Sequence, residues 1–139
     1  MTARQELIND LGGLALFADL TRPQLEAVVH TFEDEYFSQG QRILRQGFTG
    51  SNLYIILSGE AAVFVNGAQR ATLGRGDFFG EISALLGDPP AADVAALHPL
   101  RCLVLPAADV ELFLLTYPKV AFRMLQAEAR RVRSANLWR

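Results

Sequence analysis

Hydrophobic and polar positions change rhythm twice along the chain. Up to residue 32, apolar residues recur at helical spacing. Leu7, Ile8 and Leu11 lie on one side of residues 4–11, and Leu25, Val28, Val29 and Phe32 give the next segment a core-facing stripe. Asp19 or Thr21 can cap that second helix, with Pro23 in its first turn. From Glu33 to Leu105 the rhythm shortens. The runs EYF, RILRQG, LYIILSG, AAVFVNG, RATLGRG, VAAL and RCLVL alternate with glycine turns, as in an all-β sandwich or barrel. Asn66-Gly67 and Ser58-Gly59 mark hairpins. After Leu105 the helical period returns. One helix is expected from Pro106 through Val110, Phe113 and Leu114, broken at Tyr117-Pro118, and a second from about Pro118 to Ser134 or beyond.

One stretch inside the β region departs from this texture. Gly76 to Val94 reads GDFFGEISALLGDPPAADV. Its apolar run, Ile82 to Leu86, is too short for an ordinary helix and is stopped by Gly87 and by Pro89-Pro90. It predicts one or two helical turns between strands. Free backbone N–H groups there, behind the small Gly80, can face an anion, and Glu81 adds an acceptor beside them.

Composition narrows the function classes. The chain has 139 residues, half of them hydrophobic and a fifth charged, which fits one globular domain with a real core. A net charge of −2 gives no general attraction to nucleic acid or acidic membranes. Cys102, the one cysteine, sits in the apolar CLVL run and reads as a buried structural thiol. His30 and His98 have no companions at metal-ligand spacing, so no metal site is expected. Ser83 has no histidine placed by any motif, which argues against an enzyme. No run reaches membrane-spanning length and no signal peptide opens the chain, so the expected setting is cytoplasmic.

The ordered motifs resemble the cyclic nucleotide-binding domain family of catabolite activator proteins and protein kinase A regulatory subunits. Leu16-Phe17, Leu20 and Leu25 match its helical entry. Phe37, Gly40, Ile43 and Gly47 match its first glycine series, and Leu53, Tyr54, Ile56, Gly59 and Val63 its second. Leu73, Gly76, Asp77, Phe78, Phe79, Gly80 and Glu81 match the approach to its phosphate-binding cassette. The resemblance implies a mainly β fold with flanking helices (α+β). It would be a β jelly roll, or double-stranded β-helix barrel, over 33–105, with the cassette at 76–94. Helices would fill 1–32, and lid or dimer helices 106–139. It implies a non-catalytic regulatory domain whose ligand, cAMP or cGMP, moves the last helix.

Carried over residue by residue, the resemblance puts a ligand against Phe79, Gly80, Glu81, Ile82, Ser83, Pro89, Pro90, Ala91, Ala92 and Asp93. Glu81 takes the ribose hydroxyl. Val63, Val65 and Leu73 form the wall of the base slot, although they are core residues on any reading. The family's phosphate-binding arginine has no match here: its position holds Pro90, and Asp93 stands where Thr or Ser is usual. Proline offers neither charge nor N–H, whereas arginine grips phosphate with a bidentate fork. This counts against tight binding of cAMP or cGMP. Arg70 and Arg101 sit beside turns and Arg75 in a Gly-Arg-Gly turn, where solvated roles are the expectation.

Phe122, Leu125, Ala129, Val132 and Asn136 form a heptad-type seam on the last helix. It either packs on the barrel, the reading slightly favoured, or pairs two copies as in family members that dimerise there. Arg123, Arg130, Arg131, Arg133 and Arg139 crowd that end, where cations complement the helix dipole and stay solvated. Family members that bind DNA carry a helix-turn-helix domain after this helix. The chain ends at Arg139, so no DNA-binding domain is expected in it. It reads either as a stand-alone sensor or as a piece of a longer protein, with output through a protein partner or an effector domain. The alternative to a sensor is a ligand-independent interaction or dimerisation module on the same fold.

Overall fold

The computed structural model describes residues 1–136. Two helices open it, each started by the same device. Thr2 precedes α1 (Ala3–Gly12) and Thr21 precedes α2 (Arg22–Thr31). Each threonine hydroxyl accepts the N–H of the glutamine three residues on. That glutamine's side chain in turn accepts the threonine N–H, at 2.8 Å in both boxes. Thr21 is thus the cap of the second helix. Asp19 instead accepts two hydrogen bonds from Arg123, at 2.6 and 3.1 Å, tying the N-terminal segment to the last helix.

Eight strands follow: β1 (Glu33–Phe37), β2 (Arg42–Leu44), β3 (Leu53–Ser58), β4 (Ala61–Val65), β5 (Ala68–Leu73), β6 (Phe78–Phe79), β7 (Asp93–Ala96) and β8 (Leu100–Leu105). They form two four-stranded antiparallel sheets, ordered β1-β8-β3-β6 and β2-β7-β4-β5, the two sides of the jelly roll. The Ser58-Gly59 and Asn66-Gly67 turns join β3 to β4 and β4 to β5 as expected, with Asn66 at φ 51°.

Leu53 to Leu57 of β3 and Cys102 to Leu105 of β8 are buried runs because both of their faces are covered. Tyr54, Ile56, Cys102 and Val104 point into the barrel, against Leu44, Phe79, Val94 and Leu100. Leu53, Ile55, Leu57, Leu103 and Leu105 point the other way, into a second core built with Phe17, Val28, Phe32, Val110, Phe113 and Val120 of the helices. Cys102 is fully buried, which pushes its thiol up to about 12, as befits a structural thiol.

Arg75 stays exposed, as expected, but is not free: it folds back on α1, pairing with the Asp10 carboxylate at 2.8 Å and donating to the carbonyls of Leu57 (2.9 Å) and Asp10 (3.1 Å). The guanidinium thus links the C-terminal turn of α1 to β3. Arg101 is also engaged, in a bidentate pair with Asp34 on the neighbouring strand.

After the barrel, α4 (Ala107–Thr116) and α5 (Pro118–Asn136) turn back over it. The face of α5 that packs is Val120, Met124 and Ala127, spaced four and three residues apart. The slightly favoured packing of the seam on the barrel is therefore overturned. Phe122, Leu125, Ala129 and Val132 all face outward, and Leu125 is 67% exposed. Two stripes run along this helix, and the less apolar one docks. The side chain of Asn136, and Arg139 altogether, lie outside the described residues.

Candidate ligand-binding site

The 76–94 stretch folds as expected: β6, one short helix α3 (Glu81–Leu86), then β7. Gly80 makes the corner between strand and helix at φ 81°, and a Cβ there would collide with the Asn52 carbonyl oxygen. Only glycine fits both the left-handed conformation and the close approach. Three contacts then clamp the loop. The Ser51 hydroxyl donates to the Gly80 carbonyl at 2.8 Å. The Ser51 N–H donates to the Ser83 hydroxyl at 3.1 Å, and that hydroxyl donates to the Asp88 carbonyl. Beyond α3, the Gly47 N–H reaches the Pro90 carbonyl at 2.9 Å, and the Gln46 N–H reaches the Asp93 carboxylate at 2.7 Å.

The clamped loop closes one side of a cavity of about 720 Å³, within the range of small-molecule sites. Its lining includes Phe79, Gly80, Glu81, Ile82, Ser83, Pro90, Ala91 and Ala92 from the cassette, and Val63 and Leu73 from the wall strands. The remaining three sequence candidates lie outside the lining. Pro89 is exposed, Asp93 is held by the Gln46 amide, and Val65 lies further along β4. Behind the cavity, the Phe79 ring stacks on Tyr54, with centroids 4.7 Å apart and planes within 3°.

Sequence reasoning missed the residue that closes this site. Arg131, placed on the helix among solvated arginines, crosses to the cassette. Its guanidinium donates to Glu81 at 3.1 Å, to the Phe78 carbonyl at 2.6 Å and to Glu128 at 2.9 Å. It also lies 4.4 Å from the Phe78 ring centroid. Residue 131 is four past Ala127 and seven past Met124, so it continues the docked stripe; that spacing was the available signal. Arg70, likewise expected in solvent, stands in the cavity lining, as do Leu44, Ala71, Phe78, Val94, Ser134 and Ala135.

Glu81 is only 4% exposed. Burial, reinforced by the neighbouring Glu128 charge, pushes its carboxyl up to about 7, with Arg131 opposing. Two carboxylates and one guanidinium therefore share the cassette's edge. Among the described residues, no group of three or more His, Cys, Asp or Glu is placed to hold a metal. No described helix is long and apolar enough to cross a membrane.

Comparison with known proteins agrees with this architecture. The cAMP-dependent protein kinase regulatory subunit of Mucor circinelloides f. lusitanicus is 37% identical over 99 residues, covering 68% of this chain and 23% of that protein. The cGMP-dependent protein kinase of Eimeria tenella is 30% identical over 119 residues, covering 86% of this chain and 12% of that protein. The chain thus spans less than a quarter of either relative's length. Among solved structures, the Thermus thermophilus catabolite activator protein superposes with a TM-score of 0.78 at 31% identity, over 88% of this chain and 60% of that one. The family profile of the cyclic nucleotide-binding domain matches residues 34–117. By that match, the chain belongs to the cyclic nucleotide-binding domain family.

Proposed function

We propose that this chain is a sensor domain in which a small ligand held by the cassette acts on the last helix through Arg131. One observation carries the reading: α5 is fastened to the cassette by a guanidinium seated on Glu81, the carboxylate that the family resemblance assigns to the ligand's ribose. A ligand hydroxyl and Arg131 then compete for the same acceptor. Occupancy frees part of the arginine's grip, and the helix shifts to the extent that the ligand prefers the released arrangement. The relatives named for cAMP or cGMP dependence supply the ligand class. Pro90, read as standing at the family's arginine position, makes binding weak. Removing one partner of a buried charged pair typically costs ~2–5 kcal/mol. The test is amide hydrogen exchange along Pro118–Asn136 as cAMP is added, with faster exchange expected in the last turns.

The outward seam favours a second role for the same helix. Phe122, Leu125 and Val132 are 51%, 67% and 58% exposed, so the stripe is free to pair with a second copy or an output partner. Leu125→Glu should leave the fold intact, because its side chain touches no core, and should shift a concentration-dependent dimer to monomer in sedimentation. A wild type that stays monomeric at all concentrations would rule out the pairing.

A further inference from the structure

The β4–β5 ladder contains a break in register. Val63 faces Ala71, but the next residue, Phe64, faces Gln69. Arg70 is therefore an extra residue, unopposed on the neighbouring strand, as in a β-bulge. In a regular strand Leu73 and Ala71 would face the cavity, and Arg70 would face away from it. Here Arg70 and Ala71 both line it. The bulge thereby puts Arg70, an exposed residue, into the cavity's lining. The remaining lining cation, Arg131, is bound to two carboxylates and a carbonyl. Among the described residues, no carboxylate pairs with Arg70. The cassette's own lining carries no cation. The other walls are apolar: Leu44, Val63, Leu73 and Val94. The cavity is thus a mainly apolar chamber in which Glu81 is paired with Arg131 and Arg70 is the one cation without a carboxylate.

We infer that Arg70 supplies the positive charge that the cassette lacks, so that the pocket selects anionic ligands over neutral ones of the same shape. This rests on the reading of the cavity as the ligand site. Arg70 reaches the ligand's negative group from β5, across β4 from the strand that follows Pro90 and Ala91. A guanidinium suits that role because it stays charged and donates in a fork.

The test is calorimetric titration of the full chain with cAMP and with adenosine, which lacks the phosphate. Wild type, Arg70→Gln, Pro90→Arg and the double variant are compared. Arg70 is exposed, so Arg70→Gln should fold normally. The wild type should prefer cAMP. Arg70→Gln should lose about tenfold in cAMP affinity, with a much smaller change for adenosine, and the double variant should recover the loss. If Arg70→Gln binds cAMP as the wild type does, or weakens both ligands equally, the inference falls and the pocket reading stands. It also falls, with the pocket reading intact, if only variants carrying Pro90→Arg bind. If no protein in the set binds either ligand, the pocket reading itself falls and the inference with it.

Discussion

Pro90→Arg should raise the affinity for cAMP and cGMP by about 30-fold, the lower end of what a buried charged contact is worth. Pro90 is buried at the lip of the cavity, next to Ala91 and Ala92. Its one polar contact is the carbonyl that accepts from Gly47, which any residue at this position retains. Arginine adds a charged fork aimed into an apolar chamber and restores a backbone N–H. The gain falls at the lower end of the range because Arg70 already brings one cation to the same cavity. Releasing the proline's fixed backbone costs about 0.4–1 kcal/mol of stability, which a small fall in Tm should reveal. Titration calorimetry reads the main effect. Unchanged affinity would mean that the phosphate does not sit at the Pro90 end of the pocket.

The second large effect concerns pH. Glu81 holds its proton up to about 7, against 4.5 for an ordinary glutamate, because it is buried and faces Glu128. Between these values the folded chain binds a proton that the unfolded chain has released. Stability from this site is therefore fully present below about 4.5 and is lost as pH rises through about 7. At about 1.4 kcal/mol per factor of ten in proton affinity, the loss is on the order of 3 kcal/mol. Thermal melts from pH 5 to 8 should show the wild type falling relative to Glu81→Gln, whose neutral amide does not titrate. Parallel curves for the two proteins would contradict this account of the carboxyl cluster. The same titration bears on function, since a protonated Glu81 no longer offers Arg131 a full negative charge.

Much of this molecule was legible in its sequence, for identifiable reasons. Gly80, set between an aromatic pair and a short apolar run, marked the corner of the cassette before its close approach to Asn52 could be seen. The run LYIIL between glycine turns announced a strand, and Thr21 with Pro23 behind it announced the start of the second helix. The charged residues were harder to read. Arg131, Arg70 and Arg75 each look like free surface cations in one dimension, and each is placed by something that one dimension hides. Arg131 is carried to Glu81 by the rotation of α5, which docks through Val120, Met124 and Ala127 and leaves the more apolar seam outside. Arg70 is turned by a register shift that leaves no mark in residue type. Arg75 is claimed by Asp10, a residue far away in sequence. A helix with two candidate stripes cannot be oriented from hydrophobicity alone, because the better stripe can be reserved for a partner.

The most direct test of the account is hydrogen exchange along α5 with and without saturating cAMP, using Pro90→Arg so that occupancy is complete. If ligand and Arg131 share Glu81, exchange over residues 128–136 should rise on binding, while β3 and β8 stay protected. If calorimetry shows cAMP bound and the exchange of α5 is unchanged, the pocket and the helix are not coupled, and the proposed sensor mechanism is wrong.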